Sequence, residues 1–260
     1  MDKENLKNLL DLLYLKYNYK NSDIDPIWLL HEMKSNEDIE LLGFIASCYS
    51  YGRVEQIISH IKKFLKILNK QIYGFISNFD KLRDKKYCIG FNYRFNNNDD
   101  FIELISVLHK VIVKYGNLKN LFISGYNSDC DTIFYALNDF SKKLNNFSKK
   151  NDSFRYLIPI PENNSTCKRL NLFLRWMVRK DKIDLGIWGK EVSRSKLIIP
   201  VDIHVYRQAI NLRLVERKSC DMKFALNLTE KLKLFDPVDP VKYDFSLCHL
   251  DIQNARKSIN

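Results

Sequence analysis

A lysine and an aspartate, each placed where a helix begins, are the residues of this sequence with the plainest chemistry. Lys168 follows the turn Glu162-Asn163-Asn164-Ser165-Thr166-Cys167 and opens the patterned run Lys168 to Arg179. The positive end of a helix dipole disfavours a second positive charge. That field, together with desolvation, pushes a lysine toward its neutral amine, the form that attacks carbon and makes a Schiff base. A phosphate-binding or solvent-facing role stands beside this one, as for any lysine in a basic chain. Asp202 precedes a helical run in which Val205, Ala209, Ile210 and Leu212 form the apolar stripe, so it fits an N-cap for the amides of Ile203 to Val205. A cap also leaves a carboxylate ionised and fixed in direction, which suits stabilisation of a developing positive charge.

The turn before Lys168 suits phosphate. Helix N-termini bind anions through exposed amides, and Asn163, Asn164, Ser165, Thr166 and Arg169 add side-chain donors and positive charge, so these five are expected DNA-backbone contacts. The segment Pro161 to Cys167 has no glycine; Asn163 and Asn164 are the residues best able to take positive φ there. Trp176, on the same helix, reads as packed rather than stacked on a base. His60, His109 and His204 read as structural.

These residues must be positioned by helices. Apolar residues recur at three and four positions in Ile39, Leu42, Ile45 and Ala46, in Ile57, Ile58, Ile61, Phe64, Leu65 and Leu68, and in Ile102, Leu104, Ile105, Leu108 and Val111. With only 8 Gly and 6 Pro and no sustained alternation, an all-α architecture is predicted. Asp25-Pro26 starts a helix at Ile27, Tyr51-Gly52 separates two helices, and Asn96 to Asp100 forms a polar loop whose acids suit the next helix start. Asn145 to Asp152 reads as a linker, Pro159 and Pro161 as extended chain, and Val241 to Leu250 as a helix set up by Phe235 to Pro240. The expected core includes Leu42, Ile45, Ile58, Leu65, Leu104, Leu108, Leu172, Phe173, Val205, Ile210 and Phe245.

Composition narrows the partners. The chain has 260 residues, 45% of them hydrophobic, and 42 bases against 31 acids give a net charge of +11. Such a surplus attracts polyanions, nucleic acid first among them, although the abundance of Asn and Lys also reflects composition. Apolar runs such as Leu118 to Ser124 stop well short of the roughly 20 residues of a membrane span, so no membrane partner is expected. Met1 to Asn5 leads directly into an amphipathic pattern, and no export signal is read, which makes the cytoplasm the expected location. Cys48, Cys88, Cys130, Cys167, Cys220 and Cys248 lie too far apart for a zinc or iron–sulfur loop, so reduced thiols and no metal or other cofactor are expected.

The two segments resemble the helix-hairpin-helix base-excision glycosylase superfamily of endonuclease III, in which a lysine follows the hairpin and an aspartate opens a later helix in "VDTH". Here that reads Val201-Asp202-Ile203-His204. The chain is closer still to a bacterial family of uncharacterised proteins related to that superfamily, with "KRLNMFLRWMVR", "PLDTH" and "FDPxDPVKYDF" signatures. Lys168 to Arg179, Pro200 to His204 and Phe235 to Phe245 match these in order, and Gly43 to Ala46 and Tyr51 to Val54 also look like that family. The long interval between Lys168 and Asp202 is similar to that of archaeal 8-oxoguanine glycosylases. Family hairpins usually rely on the glycines of "LPGVG", which are absent here.

The resemblance implies one glycosylase-like unit over 1–260, built as two helical lobes flanking a cleft with a helix-hairpin-helix motif. Residues 20–155 would form the N-terminal helical part, 156–180 the hairpin and following helix, and 200–250 the C-terminal part. It further implies a monomeric DNA glycosylase with AP lyase activity on double-stranded DNA, removing an oxidised purine such as 8-oxoguanine, with Lys168 as nucleophile and Asp202 as its carboxylate partner. A helix-hairpin-helix protein that binds DNA without base excision is the alternative, and an RNA-directed protein ranks third.

Overall fold

A computed structural model describes residues 3–18, 25–149 and 152–257, and no strand occurs among them; two isolated bridges, Tyr93 to Asn96 and Lys180 to Leu185, are the extended pairings. The helices run α1 (Lys3–Tyr17), α2 (Ile27–Leu30), α3 (Asn36–Cys48), α4 (Val54–Ile67), α5 (Ile72–Ser77), α6 (Lys81–Asp84) and α7 (Asn98–Tyr115). They continue as α8 (Leu118–Ile123), α9 (Phe134–Phe147), α10 (Asp152–Leu157), α11 (Lys168–Val178), α12 (Ile203–Asn211), α13 (Met222–Lys233) and α14 (Asp244–Lys257). The all-α expectation holds. None of the described helices is long and apolar enough to cross a membrane.

The chain divides into two compact units, and they are interleaved in sequence. The first takes residues 1–20, 128–134 and 161–260; the second takes 21–127 and 135–160.

In the second unit α7 is the central element. Asn97 and Asp100 form a reciprocal capping box at its start, and Gly116, at φ 82, receives the turn that ends it. Between these stops Phe101, Leu104, Ile105, Val107, Leu108 and Val111 are fully buried. On α4, Ile57, Ile61, Phe64 and Leu65 turn inward at helical spacing. Ile58, expected in the core, is half-buried instead, one position off that stripe. Glu40 of α3 is buried and accepts from the amides of Leu118 (2.8 Å) and Lys119 (3.1 Å), so a distant carboxylate caps α8. The expected linker is shorter than read: α9 runs to Phe147, and the Ser148 hydroxyl and Lys149 amide both donate to Glu103 (3.1 and 2.6 Å).

The first unit joins the two ends of the chain. Leu6, Leu10, Leu13 and Tyr17 bury one face of α1. Tyr243 donates to Asp11 (2.8 Å), Tyr14 donates to Asp181 (3.1 Å), and Tyr17 stacks on His249 with ring centres 4.5 Å apart. The helix expected at Val241 begins as a 3-10 turn, Pro240–Tyr243, and becomes α14 only at Asp244, because Pro240 and the Asp236 bonds to the Val238 and Asp239 amides hold a tighter turn first. Ile210 and Phe245, also expected in the core, are half-buried.

Candidate active site

Lys168 and Asp202 both lie in the first unit, and the turn ahead of Lys168 is tied to the helices that follow. Pro161–Asn163 forms a 3-10 turn rather than extended chain, closed by the Asn164 amide on the Pro161 carbonyl (3.1 Å). Positive φ falls on Asn164 (φ 61) and Cys167 (φ 48), so Asn164 takes the role expected of it while Cys167, and not Asn163, supplies the second left-handed residue. Ser165 Oγ accepts from the Cys167 amide (3.1 Å), and the Asn171 side-chain amide donates to the Thr166 carbonyl (3.0 Å), which fastens the turn to α11. Thr166 donates to the Val201 carbonyl (3.4 Å), one residue before Asp202, and the Met222 amide donates to the Asn164 carbonyl (3.3 Å). Asn163 and Asn164 are exposed; Ser165, Thr166, Lys168 and Arg169 are half-buried. Burial pushes the Cys167 thiol up to about 12, which removes it as a nucleophile at neutral pH.

Asp202 is the N-cap of α12. Its Oδ1 accepts from the amides of His204 and Val205, both at 2.9 Å, so the cap falls on these two and not on Ile203. His204 in turn meets Asp251 through Nδ1 (2.8 Å).

Beneath the two motifs lies an ionic cluster that sequence reasoning did not pick out. On α11 the polar residues Lys168, Asn171, Arg175 and Arg179 recur at helical spacing, and the last three are buried. Arg175 pairs with Asp184 (3.2 Å) and with Asp244, and its guanidinium lies 4.6 Å from the centre of the Phe245 ring. Arg179 pairs with Asp239 (2.8 Å), Asp181 (2.9 Å) and Asp184. Burial raises the Asp184 carboxyl above the ordinary range, against the pull of both arginines. For Arg179 burial opposes the charge, yet Asp184, Asp239 and Asp181 outweigh it and hold the guanidinium firmly protonated.

Asp244 connects this cluster to the predicted site. Burial pushes its carboxyl up to about 6; Arg175 opposes the rise, the negative charge of Asp202 adds to it, and the positive charge of Lys168 opposes it. The charges of Lys168 and Asp202 thus have opposite effects on one buried carboxyl at the start of α14. Segments 168–179 and 235–245 meet through the Arg175–Asp244 and Arg179–Asp239 pairs, and Thr166, just ahead of Lys168, bonds to Val201 of segment 200–204. A signal for the missed residues was present in the acids of Phe235 to Phe245, but which bases they meet depends on tertiary pairing. A groove of about 490 Å³ in the second unit, lined by Trp28, Ile58, Lys62, Lys63 and Lys66 among others, contains neither Lys168 nor Asp202.

Fold and site thus describe an all-helical protein in which a lysine and an aspartate each stand at a helix start, in a unit that also holds buried arginine–carboxylate pairs. A family model described as "Protein of unknown function (DUF2400)" matches residues 25–253, and the chain belongs to that family. No curated protein and no solved structure matches the chain.

Proposed function

We propose that this chain is a base-excision DNA glycosylase with associated AP lyase activity, acting on double-stranded DNA that carries an oxidised purine such as 8-oxoguanine. The observation that carries this reading is the Thr166 bond to the Val201 carbonyl (3.4 Å), which ties the turn ahead of Lys168 to the residue before Asp202. Residues 156–180 act as the hairpin and following helix of a helix-hairpin-helix element. Asn163, Asn164, Ser165, Thr166 and Arg169 hold the phosphates, and the everted nucleotide enters a cleft at Lys168.

In the reaction the Lys168 amine attacks C1′ of the everted sugar, and the bond to the base breaks with its electrons leaving on the base, which takes a proton from solvent. Asp202 balances the positive charge that grows on the sugar and accepts a proton from the attacking nitrogen. The sugar ring opens as O4′ takes the proton held by Asp202, giving a Schiff base; water takes a proton from C2′, and the 3′ phosphate departs by β-elimination, nicking the strand. The buried Arg175 and Arg179 side chains serve to fix the C-terminal end of α11 rather than to touch DNA. The reading carries with it a monomer working in the cytoplasm.

Borohydride trapping tests it. Wild type with a lesion-containing duplex is expected to give a covalent adduct that Lys168→Gln abolishes; an equal adduct from the variant removes Lys168 as nucleophile. The second reading, a DNA-binding protein without excision, is favoured by the glycine-free turn with exposed Asn163 and Asn164. It is supported by salt-sensitive duplex binding with no turnover on any damaged base, and ended by clean excision.

A further inference from the structure

The second unit carries an exposed aromatic tip whose support is more elaborate than a surface turn needs. Tyr93 and Asn96 exchange both backbone bonds (2.8 and 3.0 Å), leaving Arg94 and Phe95 as a two-residue loop with Arg94 in the left-handed region at φ 52. A non-glycine residue held there is strained unless its surroundings enforce it. They do. The Tyr51 hydroxyl donates to Asn96 Oδ1 (2.6 Å), the Tyr93 hydroxyl donates to the Tyr51 carbonyl (2.6 Å), and Asp100 accepts from the Asn97 amide (2.9 Å) and the Ser153 hydroxyl (2.6 Å). Gly52, at φ 90, leaves the space in which the Arg94 side chain lies; a Cβ there would stand 2.6 Å from its guanidinium nitrogen.

What this scaffold presents is a pair of aromatic rings. Phe95 is 71% exposed and Tyr156 41%, and the two rings meet edge to face with centres 5.6 Å apart. Tyr156 also meets the Tyr51 ring at 5.4 Å, which backs the pair from beneath. The Arg94 guanidinium lies 5.7 Å from the Phe95 ring centre, and Arg53, at the other loop, is exposed as well. A lone exposed ring needs no explanation. Two contacting rings on a fixed tip, flanked by arginines in a chain of net charge +11, match the pattern by which proteins stack unpaired bases and hold the adjoining phosphates.

We propose that the Phe95–Tyr156 tip is a stacking platform for an unpaired base of a DNA strand, with Arg94 and Arg53 on the neighbouring phosphates. The choice of DNA as occupant rests on the reading given above; the platform itself is a contact of the second unit and uses neither Lys168 nor Asp202. Because Phe95 is largely in solvent, its removal leaves the packing of the unit intact, and an unchanged melting temperature verifies this.

The test uses the full chain and a short oligothymidylate carrying one 2-aminopurine, whose fluorescence is quenched on stacking. Wild type is expected to bind and quench; Phe95→Ala is expected to lose quenching and to bind about 5- to 100-fold more weakly. Phe95→Trp restores both. Equal binding and quenching by Phe95→Ala, or no binding of the oligonucleotide by wild type, overturns the platform. Tighter binding of the matching oligouridylate overturns DNA as its occupant. Loss of quenching in Phe95→Ala alongside a wild type that gives no borohydride adduct leaves the platform standing and removes the enzyme reading.

Discussion

At the residue scale, a single substitution separates the cap that Asp202 forms from the catalytic role proposed for it. Asparagine caps a helix about as well as aspartate, so Asp202→Asn keeps the bonds to the His204 and Val205 amides while removing the charge. Base excision is expected to fall by roughly 10²- to 10⁴-fold with the melting temperature almost unchanged. Single-turnover kinetics and a thermal melt read the two effects separately, and retained activity would leave Asp202 a cap and nothing more. The helix starts at Lys168 and Asp202 were legible because their signals are local: a lysine or an aspartate just ahead of an apolar stripe. Asp184, Asp239 and Asp244 were not, since their significance comes from Arg175 and Arg179, which local patterning does not connect to them.

At the element scale, the Arg175–Asp244 pair joins α11 to α14, and its pH dependence has a definite sign. Asp244 has a folded-state value of about 6, above the ordinary 3.8. Folding thus favours its protonated form, and the stability contributed is complete below 3.8 and lost as pH rises through about 6. Asp244→Asn lacks this term. Urea unfolding at a series of pH values is expected to show wild type gaining on the variant as pH falls from 7 to 4; a constant gap would mean that burial does not perturb this carboxyl. Most helices were readable from periodicity and capping residues, as α3, α4, α7 and α11 illustrate. The 3-10 turns at Pro161 and Pro240 were not, because their geometry is decided by side-chain bonds from Ser165 and Asp236 and by contacts made elsewhere in the fold.

At the scale of the whole molecule, α1 is a structural member of the first unit although the rest of that unit begins more than 100 positions later (17 to 128). Nothing in its amphipathic pattern names its partner, so this pairing was out of reach of sequence reading. Burying Leu6, Leu10, Leu13 and Tyr17 contributes several kcal/mol at about 1.5–3 kcal/mol for each large side chain, which is comparable to the roughly 5–15 kcal/mol by which whole domains are stable. Deleting residues 3–17 is expected to strip hydrogen-exchange protection from α11 to α14 while α7 keeps its own. Undiminished protection across residues 168–257 would show that the helix is an accessory.

The interleaving also fixes an order of assembly during synthesis. When α1 leaves the ribosome, the Tyr243 hydroxyl that will bond to Asp11 lies 232 residues away along the chain and has not yet been translated. The second unit has all of its residues once position 160 has emerged, and it can close while the residues from 161 onward are still being joined. Until then the leucines of α1 stay uncovered. The nascent chain therefore carries the apolar stripe of α1 open to water through the synthesis of more than two hundred further residues, until the Tyr243 segment that meets it has been made.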